Sequence, residues 1–70
     1  MNTRINVIVN GEARAFEHGA SLSDLLRSLD LDPRMVVVEH NRTIVRRPSL
    51  DGTPLEDGDM VELVHFVGGG

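Results

Sequence analysis

Cysteine, lysine, tryptophan and tyrosine are all missing from this sequence. Without cysteine there is no disulfide, no thiolate metal site and no thiol nucleophile. An uncrosslinked small domain suits a reducing compartment, so the expected location is the cytoplasm. Without lysine the seven basic residues are all arginine, and the α-amino group is the one amine the chain offers. It therefore has no side-chain amine for conjugation to copies of itself. The two aromatics, Phe16 and Phe66, are too few to form a stacking platform for bases. A formal net charge of −4 argues against a nucleic-acid backbone as partner. No apolar run approaches the ~20 residues of a membrane span, and Met1-Asn2-Thr3-Arg4 leads into a strand rather than a signal peptide. Seventy residues make one domain near the lower size limit for an unstapled core.

What is present reads as alternating short elements. Ile5-Asn6-Val7-Ile8-Val9 places Ile5, Val7 and Val9 on one face of a strand. Asn10-Gly11 is the signature of a two-residue type I′ hairpin turn, and Glu12-Ala13-Arg14-Ala15-Phe16 returns from it. After His18-Gly19-Ala20, Ser21 reads as a helix N-cap with Asp24 as its capping-box partner. Leu22, Leu25, Leu26 and Leu29 then form one apolar stripe, and Asp32-Pro33 is the expected stop. Met35-Val36-Val37-Val38-Glu39 reads as a third strand buried on both faces or centrally placed. His40-Asn41-Arg42 is a turn, Thr43-Ile44-Val45 a short strand, and Leu50 the anchor of a following loop. Two turns, Asp51-Gly52-Thr53-Pro54 and Leu55-Glu56-Asp57-Gly58-Asp59, precede a last strand from Met60 to Val67. The order predicts an α+β roll, a ββαββ pattern with one main helix on a mixed sheet. The domain is expected over residues 1–67, with Gly68-Gly69-Gly70 as a flexible C-terminal tail.

Few residues point to chemistry. His18, His40 and His65 are dispersed without metal-ligand spacing and read as surface or strand-edge residues. Ser23, Ser28 and Ser49 have no adjacent base and no nucleophile elbow. Arg46-Arg47 is too short a basic patch to indicate nucleic acid. No catalytic set and no metal set is visible. The last strand says more. If Val61 and Leu63 face the core, then Glu62, Val64 and Phe66 face outward. Val64 and Phe66 are then an apolar anchor for a partner, with Glu62, Asp57 and Asp59 as a charged rim that steers a basic one. The three glycines beyond add reach, spanning roughly 10 Å when extended, and carry a carboxylate on an unbranched stalk.

From end to end the chain resembles the ubiquitin-like β-grasp sulfur carriers, most closely the ThiS family of thiamine biosynthesis. The likeness rests on the Ile5–Val9 strand with Asn10-Gly11, on Ser21-Leu22-Ser23-Asp24-Leu25-Leu26 and on Val36-Val37-Val38-Glu39-His40-Asn41. It rests further on Leu55-Glu56-Asp57-Gly58-Asp59-Met60-Val61-Glu62-Leu63, and above all on Phe66-Val67-Gly68-Gly69-Gly70. The resemblance implies a carrier and co-substrate rather than an enzyme, with no bound cofactor. It implies that the Gly70 carboxylate is adenylated by a ubiquitin-activating-like adenylyltransferase, which consumes ATP. A persulfide from a desulfurase or sulfurtransferase then converts it to a thiocarboxylate, which gives its sulfur to a thiazole synthase. Gly68 and Gly69 would thread a narrow cleft in the partner. The family minimum is a terminal Gly-Gly; here a third glycine precedes it, so Gly70 is taken as the modified residue and Gly68 as slack.

Three alternatives share the fold. The small subunit of molybdopterin synthase has the same Gly-Gly end, but such chains are usually longer between helix and third strand. Carriers for tRNA thiolation or cysteine synthesis also fit. A regulatory β-grasp binding module would need no glycine end and should carry a basic or aromatic surface.

Overall fold

A computed structural model describes residues 3–66. Its elements in chain order are β1 (Arg4–Val9), β2 (Glu12–Glu17), α1 (Leu22–Ser28), β3 (Val36–His40), β4 (Thr43–Val45) and β5 (Met60–His65). Two short 3₁₀ turns, Pro33–Met35 and Arg47–Ser49, flank the β3–β4 pair. The five strands form one sheet in the order β2-β1-β5-β3-β4. Only the β1–β5 pair is parallel; β1–β2, β3–β4 and β3–β5 are antiparallel. The sheet is therefore mixed, and the last strand in sequence occupies its centre.

Local chemistry accounts for the elements that flank this strand. Asn10 and Gly11 have φ of 48° and 83°, both positive as a type I′ turn requires, and Val9 faces Glu12 across the turn. The helix begins with a complete capping box. Ser21 Oγ accepts from the Asp24 N–H, and the Asp24 carboxylate accepts from the Ser21 N–H. The sequence predicts that Asp32-Pro33 ends the helix, but the helix ends at Ser28, four residues before Asp32, in a Schellman motif. The Leu31 N–H reaches the Leu26 carbonyl and the Asp30 N–H the Arg27 carbonyl, with Asp30 in the left-handed region at φ 58°. Pro33 instead opens the first 3₁₀ turn, which Asp32 caps through the Arg34 N–H. That turn takes Met35 out of the third strand, which starts one residue later than expected and runs on to His40.

The core lies between α1 and one face of the sheet. Ile5, Val7 and Val9 of β1, Val36 and Val38 of β3, and Val61 of β5 meet Leu22, Leu25 and Leu26 of the helix. Leu50 and Leu55 close its margin from the long β4–β5 connection. The valine run of β3 is not the sheet's centre. It lies beside β5 with β4 outside it, and Val37 is half-buried on the face away from the helix. Strand alternation puts Asn6, Ile8, Ala13, Ala15, Val37, Glu39, Ile44, Met60, Glu62 and Val64 on that second face, opposite the buried strand residues. No element of the described residues packs over it. Among the described residues, no helix is long and apolar enough to cross a membrane.

Candidate functional site

The features that could engage another molecule gather on β5 and its outward face. Inward, Val61 is 1% exposed and Leu63 packs partly against the core. Outward, Val64 is 58% and Phe66 45% exposed. The alternation expected from sequence therefore holds: the same strand supplies a core wall and an apolar surface. Phe66 lies one residue past the end of β5, yet its backbone is tied down, because its N–H donates to the Met35 carbonyl at 3.0 Å. Val67, Gly68, Gly69 and Gly70 lie outside the described residues, so the expected end of the strand at Val67 and the threading and modified glycines lie there too.

The acidic rim takes a different form from the one expected. Asp59 is 7% exposed and turned inward. Its Oδ2 accepts from the Glu56 N–H at 2.8 Å and is 2.7 Å from His40 Nε2, while Oδ1 accepts from Asn41 Nδ2 at 3.0 Å. Burial pushes the Asp59 carboxyl toward the neutral form. The hydrogen bonds from His40, Asn41 and Glu56, with the charge His40 can carry, outweigh it and hold the pKa below the ordinary carboxylate value. A carboxylate consumed in this way is an internal tie and not part of a docking rim. His40, read from the sequence as a surface or strand-edge residue, is the last residue of β3 and is half-buried as its partner.

Asp57 stays exposed, but its Oδ1 accepts the Asn6 N–H at 2.8 Å and pins the last turn to β1. Gly58 lets the chain reverse there at φ 87°, and its N–H reaches the Asn6 carbonyl at 2.8 Å. This turn precedes β5 whereas Phe66 follows it, so Asp57 and Phe66 are separated by roughly 20 Å of strand rise or more. The structure thus brings Glu62, Val64 and Phe66 together and leaves Asp57 and Asp59 apart from them.

Glu62 has a companion that the sequence reading missed. In the β3–β5 register Glu39 stands directly opposite it. With Asn41, Arg42 and Met60 the two glutamates line a depression of about 270 Å³ on the outer face. Ile44 sits opposite Glu39 on β4, and Val37 opposite Val64. The face therefore runs from Phe66, Val64 and Val37 at one end, across the Glu39–Glu62 pair, to Met60 and Ile8 at the other. Ile44 and Met60 are exposed like Val64 and Phe66. Among the described residues, no group of His, Asp and Glu side chains could hold a metal ion. Ser23, which the sequence left without a base, donates its hydroxyl to Asp51, a loop-to-helix tie.

Comparison with known proteins places this geometry. Residues 7–70 match the ThiS family model. A thiazole synthase of Magnetococcus marinus is 38% identical over 66 residues, which are 94% of this chain and 20% of that protein. A thiazole synthase of Paramagnetospirillum magneticum is similar to the same extent, so the chain spans about a fifth of the length of these relatives. The sulfur carrier protein ThiS of Bacillus subtilis is 42% identical over 50 residues, 71% of this chain and 76% of that one. The crystal structure of a thiamine biosynthesis protein, ThiS, from Geobacter metallireducens superposes with a TM-score of 0.79 at 33% identity. That match covers 94% of this chain and all of the other.

Proposed function

The chain belongs to the ThiS family, and from that premise we propose that it is a sulfur carrier of thiamine biosynthesis working as a co-substrate. The Gly70 carboxylate attacks the α-phosphorus of ATP on an adenylating partner, and pyrophosphate leaves. A persulfide sulfur on a desulfurase or sulfurtransferase then displaces AMP from the acyl carbon to give an acyl disulfide. A second thiol, supplied by the donor protein, attacks the donor's sulfur, so that the S–S bond breaks, the thiocarboxylate leaves and the donor keeps a disulfide. That sulfur passes to a thiazole synthase. ATP is the partner's substrate, and no side chain of the carrier takes part in the chemistry. Cytoplasmic working fits the absence of cysteine.

The observation that carries this reading is the pairing of a fixed, exposed Val64–Phe66 anchor with the glycine sequence that begins two residues after Phe66. A docking surface that ends next to an unbranched stalk suits a partner that must grip the domain and enclose its end. Enclosure is needed because an acyl-adenylate hydrolyses if water reaches it. The absence of lysine supports the same reading, since an activated acyl group would meet no side-chain amine on its own chain. The likeness to two proteins named thiazole synthases supports that enzyme as the acceptor. Glu62 with Glu39 supplies the acidic part of the docking face, and Gly68 and Gly69 thread the partner's cleft, where a Cβ would obstruct passage.

The test is intact mass after incubation with ATP, an adenylating partner and a persulfide source. The expected product carries one sulfur in place of one oxygen, and a variant lacking Gly69 and Gly70 shows no gain. No gain in the wild type, with the partner active on its own substrate, would refute the carrier role.

A further inference from the structure

β5 is held unequally along its two edges. On one side β3 pairs with it in register from His40↔Val61 to Val36↔His65, and the Phe66 N–H continues that side to the Met35 carbonyl. On the other side β1 gives out early. Its register with β5 covers only Ile8↔Met60 and Val9↔Val61, and the last backbone bond of that edge runs from the Asn10 N–H to the Val61 carbonyl at 2.9 Å. There the chain turns away at Asn10-Gly11 to start β2. The next ladder position belongs to Leu63, and a backbone that has turned away has nothing to offer it.

The Asn10 side chain fills that place. Its Oδ1 accepts the Leu63 N–H at 2.7 Å, and its Nδ2 donates to the Leu63 carbonyl at 3.2 Å. A carboxamide has the same donor and acceptor as a peptide unit, so one side chain extends the edge by a full residue. The φ of 48° at Asn10 is what the hairpin turn needs, and asparagine tolerates it better than most residues. A second turn asparagine grips the start of the same strand: Asn41, at φ 51°, accepts the Met60 N–H at its Oδ1 at 2.9 Å and donates its own N–H to the Met60 carbonyl. The hairpin turn alone explains Asn10 no better than glycine or aspartate would; the bidentate bond to Leu63 is what singles out the carboxamide.

We propose that Asn10 is a positioning residue for tail activation: its carboxamide clamps Leu63, so that Val64 and Phe66 are presented to the partner in a fixed orientation. This rests on the carrier reading above. With the clamp gone, the last turn of side chains on β5 is held along the β3 edge alone, and the partner must order it on binding. Such a cost falls on association and not on the chemical step, so it raises the apparent KM for the carrier while kcat stays the same.

Asn10→Gly is the informative variant, because glycine keeps the positive φ and removes only the carboxamide. In adenylation by the partner with ATP, followed by pyrophosphate release, the expected result is about a fivefold rise in KM for the carrier at unchanged kcat. Hydrogen exchange at the Leu63 amide should quicken by a similar factor. Asn10→Asp keeps the acceptor for the Leu63 N–H but sets an oxygen against the Leu63 carbonyl, so it should not restore KM. Ile5→Val, in the core at the far end of β1, lowers stability without touching the clamp and should leave KM as in the wild type. If KM is unchanged in Asn10→Gly, or rises equally in Ile5→Val, or Leu63 exchange does not respond, the positioning role is overturned. A wild-type chain that releases no pyrophosphate would overturn the carrier reading itself, and this role with it.

Discussion

Removing the Asp59 carboxylate should unfold a large part of this protein's margin of stability, and the structure allows the loss to be sized. In Asp59→Ala three donors lose their acceptor: His40 Nε2, Asn41 Nδ2 and the Glu56 N–H. Asn41 is exposed and His40 half-buried, so both regain some water, while the Glu56 N–H sits in a part-buried turn. At about 1 kcal/mol for each, the deficit is about 3 kcal/mol. A domain of this size holds about 5 kcal/mol in all, so the variant should be barely stable at room temperature. The corresponding fall in Tm is about 15 °C. Urea unfolding at pH 7 measures it as a lower midpoint at unchanged slope. Asp59→Asn should cost less, about 1 kcal/mol, because an amide oxygen at the Oδ2 position still serves His40 and Glu56 while its NH₂ opposes only Asn41. The pH dependence follows from sign. A carboxyl whose folded pKa is depressed stabilises the fold above its unfolded value near 4 and loses that contribution as pH falls through the folded value. The gap between wild type and Asp59→Ala should therefore narrow below about pH 4. A deficit under about 0.5 kcal/mol at pH 7, or one that widens in acid, would refute the internal tie and return Asp59 to the surface.

On the carrier reading proposed above, three further outcomes are expected. Phe66→Ala should weaken binding to the adenylating partner about 30-fold in a titration, with a smaller fall in urea midpoint than a core truncation causes, because the residue is already 45% exposed. Gly70→Ala should keep the cooperative unfolding transition and lower the adenylation rate by about tenfold or more, measured as pyrophosphate release. Ser21→Ala should lose the side-chain arm of the capping box, while the backbone N–H at position 21 keeps its bond to the Asp24 carboxylate, and cost about 1 kcal/mol in urea unfolding, with no change in partner affinity, since α1 lies on the opposite side of the sheet from Val64.

The parts legible in the sequence are those whose causes are local. The Asn10-Gly11 turn, the Ser21–Asp24 capping box and the leucine stripe each depend on residues within seven positions of one another; the first two stand as expected, and the stripe does too, with Leu29 at the helix C-cap and only partly buried. The helix stop was misassigned because proline is a visible breaker, whereas a Schellman motif with aspartate at the left-handed position carries no such marker. The site was legible only along β5. Alternation separates Val64 from Leu63 without reference to any other strand. Asp59 was misplaced because its partners, His40 and Asn41, are 19 and 18 residues away, and nothing in Asp57-Gly58-Asp59 tells which aspartate turns inward. Glu39 and the second use of Asn10 were hidden for the same reason. Both depend on the register of β5 against strands far from it in sequence, and a shift of one residue would have sent every one of these side chains to the other face.

The sheet's two faces obey different rules, and the difference bears on function. On the helix side every requirement of folding is met: the buried strand residues are apolar, and the one buried carboxylate has three partners. On the far side the same strands break those requirements. Glu39 and Glu62 stand directly opposite each other, a like-charge arrangement that costs stability; Arg42 lines the same depression, without forming an ion pair with either among the described residues. Ile44, Met60, Val64 and Phe66 expose large apolar surface around that pair. Neither feature helps the isolated domain to fold. Conflict between local choice and global stability, confined to one face and continuous with the strand that leads to the glycines, is expected where a surface is shaped for a partner. A basic, apolar-rimmed partner would relieve both faults at once by pairing the glutamates and covering Val64 and Phe66. On this argument the stability missing from the free domain is recovered in the complex, and Glu62→Gln should stabilise the free chain while weakening the complex.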